Sequence, residues 1–205
     1  MNDDTFNNND REEGLKSAVF FEGILGVGAV FFGWLIGFYP LDLIKLDATL
    51  AADLGFGLLI TAPMAAAFIL LARFPLGPFR MIRTHMDEII VPLFHKLSVF
   101  DLLLISLLAG VGEELLFRGL LQPAIGYWTG PVGGLVIAGV LFGLAHLITP
   151  TYAIMAGLMG MVIGWASMVT DNLLTAILIH AAYDFIALTF FLKVIHRDWR
   201  PNAVD

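Results

Sequence analysis

The sequence predicts an all-α, polytopic transmembrane helix bundle of about six spans plus one interfacial amphipathic helix, and three observations carry that prediction. Hydrophobic residues make up 59% of the chain and charged residues 14%, where a soluble domain sits near half apolar and a quarter charged. Mean hydropathy is +0.85. The apolar residues also fall into runs long enough to cross about 30 Å of hydrocarbon, which takes roughly 20 residues. A surplus of this size cannot be hidden in one core, because a small globule has too much surface for its volume. Lipid is the second solvent.

The elements follow in order. Residues 1–16, rich in Asn, Asp and Glu, read as a disordered polar tail. This tail carries much of the net charge of −7. It has neither the basic start of a secretory signal nor the Arg-rich, acid-poor look of a transit peptide. Residues 17–97 hold two transmembrane helices, about 17–39 and 54–73, and a different segment from Phe79 to Leu97. There Ile82, Met86, Ile89, Ile90, Leu93 and Leu97 recur at helical spacing, with Arg80, Arg83, Asp87, Glu88 and Lys96 elsewhere. That pattern predicts an amphipathic linker helix in the membrane interface, interrupted at Pro92. Residues 98–192 hold four more spans, about 99–121, 131–148, 152–170 and 173–192, joined by short connections containing Gly, Pro, Thr and Asn. Residues 193–205 form a C-terminal tail.

The basic residues orient this topology. With six spans, one side holds Arg11, Lys16, Arg73, Arg80, Arg83, Lys96, Lys193, Arg197 and Arg200, and the other holds Lys45 alone. Both termini are therefore expected in the cytoplasm. The chain has no cysteine, which excludes disulfides, thiolate chemistry and Cys-based metal sites. Nothing resembles a nucleic-acid surface. Gly33 and Gly37, Gly139 and Gly143, and Gly160 and Gly164 fit the small-xxx-small pattern and are read as helix packing.

From Leu102 to Thr170 the only charged residues are Glu113, Glu114 and Arg118, and the only histidine is His146; the last span adds His180 and Asp184. An ionisable group at mid-bilayer costs about 2.5–3.5 kcal/mol on insertion scales, so six in three spans need a reason. Glu22, in the first span, is read as lying near an interface or paired. Glu114 and Arg118 are i,i+4 with the acid N-terminal, the favoured orientation for an intrahelical pair. Glu113 lies about 100° round the helix from Glu114 and about 140° from Arg118. One carboxylate is thus neutralised and the other left free. His180 and Asp184 are also i,i+4, as are Phe142 and His146, so each helix presents one polar or aromatic-plus-His face to a common interior. At about 1.5 Å per residue, Glu113 and His180 fall at similar depths.

These residues spell Glu-Glu-x-x-x-Arg (113–118), Phe-x-x-x-His (142–146) and His-x-x-x-Asp (180–184), in that order on three hydrophobic helices. The pattern resembles the CAAX-protease and bacteriocin-processing family, intramembrane proteases that include the type II prenyl-protein endopeptidases and the Abi proteins. The resemblance covers about 100–192, and Gly112-Glu113-Glu114-Leu115-Leu116-Phe117-Arg118-Gly119 is its most specific part. It implies an endopeptidase acting near the C-terminus of a prenylated protein or in a membrane-associated peptide. It implies that Glu113 and His146 activate water, that His180 with residue 184 stabilises the oxyanion, and that Glu114 and Arg118 hold the helix. Position 184, often Asn in the family, is Asp here. A carboxylate accepts hydrogen bonds and donates only when protonated, so Asp184 is neutral, an orienting acceptor for His180, or a metal ligand. The orienting role is preferred.

Two matters stay open at this stage. Glu113 and the two histidines could form a three-ligand zinc site with an open position for water. The sequence lacks the His-Glu-x-x-His signature, and a metal-free glutamate mechanism is equally economical. The runner-up to a peptidase is a non-catalytic immunity or scaffolding protein with the same frame. An ion or proton pathway is the third reading, weakened because the polar groups are confined to the second half, with no inverted repeat.

Overall fold

The computed structural model describes residues 3–197, with side chains from residue 11 onward. Every regular element among the described residues is helical. They are α1 (Asp3–Ile36), a short 3-10 turn (Pro40–Leu43), α2 (Leu50–Arg73), α3 (Phe79–Phe94), α4 (Val99–Glu114), α5 (Gln122–Ala145), α6 (Pro150–Thr170) and α7 (Leu173–Thr189). A wide π turn, Leu115–Leu121, joins α4 to α5, and another, Phe190–Ile195, extends α7. α1, α2, α6 and extended α7 are long and apolar enough to cross a membrane. A fifth span is counted if the bent pair Phe79–Phe94 and Val99–Ala145 is taken as one. Exposed Phe20, Val27, Phe31, Trp34, Leu59 and Leu70 give the bundle an apolar exterior that only lipid satisfies. The protein is an integral membrane protein.

The run Val99–Ala145 contains two of the expected spans. Gly130, at φ +81°, takes a conformation that costs other residues a clash, and the chain turns back there. Gly134 then packs against Gly126 and the Gln122 carbonyl, where an added Cβ would collide at 2.5–2.9 Å. Near the far end of the same hairpin Phe142 meets Phe117, ring centroids 4.9 Å apart. α5 and α6 approach as the small-residue pattern predicts: a Cβ on Gly143 would sit 2.4 Å from the Ala153 carbonyl oxygen. Gly37 differs, lying at φ +81° just past the end of α1.

The two ends of the bundle are chemically distinct. At one, Lys45 pairs with Asp171, and Phe38 meets Tyr127. At the other, Arg11 grips Asp101, His196 pairs with Asp87, and Lys193 donates to the His95 carbonyl. Asp101 also closes a capping box with Ser98 at the start of α4.

Two expectations change. Residues 3–16 are not a disordered tail: α1 begins at Asp3, and Arg11 holds both carboxylate oxygens of Asp101 at 2.7 Å. The local composition argument could not register a partner 90 residues away. Met1 and Asn2 lie outside the described residues, as does the C-terminal tail from residue 198 onward; Lys193 to Ile195 continue the last helix. The segment before α4 is helical through Pro92, with a π turn over Met86–Ile90 in place of a break. Proline lacks the N–H that would close the preceding turn, and the wider turn accommodates it.

Candidate active site

α4 ends on Glu113 and Glu114, and the π turn begins at the next residue. π turns are rare and cluster at functional sites. Glu114 is fully buried; its Oε1 accepts from Arg118 Nη1 at 2.8 Å and from His180 Nδ1 at 2.6 Å. Arg118 Nη2 donates to the Gly160 carbonyl at 2.6 Å, and the guanidinium lies 4.5 Å from the Phe142 ring centre. Gln122, one turn on, donates to the Gly164 carbonyl. Residues four apart on one run thus reach carbonyls four apart on α6. The glycines allow it, since a Cβ on Gly160 would lie 2.8 Å from Arg118 Nη2.

Glu113 points elsewhere. Its Oε2 is buried without a hydrogen-bond partner and lies 3.6 Å from His146 Nε2, too long for a direct hydrogen bond. The His146 tautomer is settled by its other nitrogen: Nδ1 donates to the Phe142 carbonyl at 2.9 Å, and a carbonyl can only accept. A neutral His146 therefore presents the lone pair of Nε2 to Glu113. Two acceptors at 3.6 Å do not bond each other, so a shared proton or a water that reaches both is what would join them. Phe142 stacks on the His146 ring, centroids 4.4 Å apart.

His180 sits between two carboxyls, with Glu114 at Nδ1 and Asp184 Oδ2 3.3 Å from Nε2. The expected i,i+4 neighbours are therefore close, but the residue that holds the His180 ring by a short hydrogen bond is Glu114. Asp184 faces the other nitrogen. All seven candidates, Glu113, Glu114, Arg118, Phe142, His146, His180 and Asp184, come together where α4, α5 and α7 meet.

A cavity of about 410 Å³ opens from this cluster toward α2 and α3, with Phe68, Met86 and Phe191 among its apolar lining and His146, His180 and Asp184 at its polar end. Two lining residues were not anticipated. Tyr152 lies 6.4 Å from the His146 ring, and Tyr183 precedes Asp184. Neither sits at a spacing that would single it out from a packing aromatic.

Zinc in a hydrolytic site takes three protein ligands. Among the described residues no three His, Asp or Glu side chains converge to hold a metal ion. The available donors fall into two pairs, Glu113–His146 and His180–Asp184, and His180 Nδ1 is engaged by Glu114. The donor set does not fit the group.

Residues 95–186 match the family model described as Rce1-like, type II CAAX prenyl endopeptidase Rce1-like. The match runs from just before α4 to just past Asp184, leaving α1, α2 and α3 outside it. No curated protein and no solved structure matches the chain.

Proposed function

We propose that this chain, which belongs through residues 95–186 to the CAAX-protease and bacteriocin-processing family, is an intramembrane endopeptidase. Its substrate is a prenylated protein cut near its C-terminus or a membrane-associated peptide. The observation that carries the reading is the open pair: a buried, partnerless Glu113 Oε2 facing the free lone pair of His146 at 3.6 Å. Water held there loses a proton to the pair as its oxygen bonds to the scissile carbonyl carbon. The carbonyl oxygen becomes an oxyanion within reach of His180, whose Nε2–H is the donor when the ring carries both protons. Collapse of the intermediate breaks the C–N bond, and the amine takes the proton back from the Glu113–His146 pair. Preorganised donors in a dry site stabilise such charge more than water does. The apolar cavity suits a lipid-tailed peptide, with its polar end at the reacting groups.

The test is hydrolysis of quenched C-terminal peptides, with and without a farnesyl group, by purified full-length protein in detergent. Cleavage of the farnesylated peptide that survives a chelator is expected. Chelator-sensitive cleavage restored by zinc would overturn the metal-free mechanism, and no cleavage of any peptide would favour the immunity or scaffolding reading. The Lys/Arg bias further supports cytoplasmic termini, with the cavity opening toward that side. Reporter fusions after Asp205 and near Asp47 are expected on opposite faces of the membrane; a shared face would overturn this topology.

A further inference from the structure

The mechanism above leaves one intramembrane carboxyl unused. α1 packs on the bundle through a face that includes Glu22, Gly26, Ala29 and Gly33. Glu22 lies eleven residues beyond Arg11, about 16 Å along the helix, and so belongs to neither interface. Gly26 backs onto Gly112, where a Cβ would lie 3.5 Å from the Gly112 Cα. The reverse contact is closer: a Cβ on Gly112 would come within 2.5 Å of the Glu22 carbonyl oxygen and 3.1 Å of its Oε2. The two glycines let the Glu22 carboxyl lie against the backbone of the residue just before Glu113. Its Oε2 is buried with no hydrogen-bond partner, as is Glu113 Oε2, and it is in electrostatic reach of Glu113, His180 and Asp184.

The other charged or titratable groups around Glu113 are Glu114 and Arg118 on its own run, His146 capping the end of α5, Tyr152 on α6, and His180 and Asp184 on α7. The arginine is committed to Glu114, the Gly160 carbonyl and the Phe142 ring. His180, charged when it carries both protons, lies between Glu114 and Asp184, so neither Glu22 nor Glu113 hydrogen-bonds a cation through its Oε2. An ionisable side chain inside a membrane span is costly, which makes it a candidate functional group. A negative charge on Glu22 favours a proton on Glu113, and a base that takes a proton from water gains from that.

We propose that Glu22 is a positioning residue of the hydrolytic site: a carboxylate on α1, outside the family-matched segment, that acts through Glu113 across the contact at Gly112 and makes it a better proton acceptor. The role rests on the reading of Glu113 as the base. Glu22→Gln keeps the shape and removes the charge, and the assay is cleavage of the quenched farnesylated peptide by the full-length protein in detergent. The expected result is a kcat about tenfold lower, an unchanged KM, and a thermal midpoint equal to or above wild type, because an unpaired buried charge has gone. Glu22→Asp keeps the charge and should recover most of kcat. An unchanged kcat in Glu22→Gln would overturn the proposal. So would a fall in midpoint or failure to fold, since that marks a packing role. Glu113→Gln, run alongside, separates the two readings. If it is inactive while Glu22→Gln is fully active, only the role of Glu22 falls. If it is active, the base assignment falls and takes Glu22 with it.

Discussion

Glu113 and Glu114 are neighbours in sequence, both buried, and differ in the partners they meet. Glu114 sits in a closed half-site: one carboxylate oxygen accepts from an arginine and a histidine, and the arginine goes on to a carbonyl and an aromatic face. Glu113 sits in an open half-site, with one buried oxygen facing a histidine lone pair and no bond made. Both carboxyls keep a buried Oε2 without a hydrogen bond. What separates them is that Glu114 Oε1 is locked by two donors while Glu113 faces a lone pair, so the closed half-site is built for stability and the open one for chemistry. One helical step of about 100° is enough to separate them.

The sharpest break of that comparison is Glu113→Gln. Removing a general base typically costs 10²–10⁴ in rate, so a loss of roughly a thousandfold in kcat is expected at wild-type yield and thermal midpoint. Glu114→Ala should do the reverse first. It strands a buried Arg118 and leaves His180 Nδ1 without its acceptor, a change that destabilises by about 3–5 kcal/mol. Yield and midpoint in detergent should fall before activity per folded molecule does. If both variants lose activity and stability alike, the two half-sites are one unit.

How much of this the sequence displayed depends on where each partner lies. The Glu114–Arg118 pair and the free face of Glu113 were legible, because i,i+4 and i,i+5 positions on one helix have fixed geometry. The second bond of Glu114, to His180, was not. It joins positions 66 apart, and nothing in either helix sets the register between α4 and α7. Glu22 was misread as interfacial or paired for the same reason: its setting is defined by Gly112 on another helix. The π turn after Glu114 has no sequence signature that separates it from ordinary helix. The hairpin at Gly130 was visible as a break between spans, though not as one continuous run that reverses.

Phe142 belongs to both half-sites. Its ring stacks on His146 and lies 4.5 Å from the Arg118 guanidinium. Phe142→Leu keeps the backbone carbonyl that fixes the His146 tautomer but removes both ring contacts. A stability loss of about 1–2 kcal/mol and a kcat about five- to tenfold lower, from a less ordered imidazole, are expected from denaturation and steady-state assays. A variant that loses stability with full kcat would show that the ring serves the closed half-site alone.

The smallest effect is expected at Asp184. The His180 ring is already held at Nδ1 by Glu114 at 2.6 Å, while Asp184 approaches Nε2 at 3.3 Å with its side chain 31% exposed. Glu114 therefore shares the orienting of the ring with Asp184, and the charge of Asp184 competes with the oxyanion for the Nε2 proton. Asp184→Asn keeps an oxygen that can accept and adds N–H groups that can donate. Its kcat/KM on the farnesylated peptide should stay within about threefold of wild type, with or without chelator. Asp184→Ala, which offers neither acceptor nor donor, should fall below the Asn variant. A metal ligand would behave otherwise, because exchanging a charged donor for a weak neutral one lowers affinity sharply. Loss of activity in Asp184→Asn that added zinc restores would make His180 and Asp184 part of a metal site. The separation into a closed and an open half-site would then give way to a single centre bridging both.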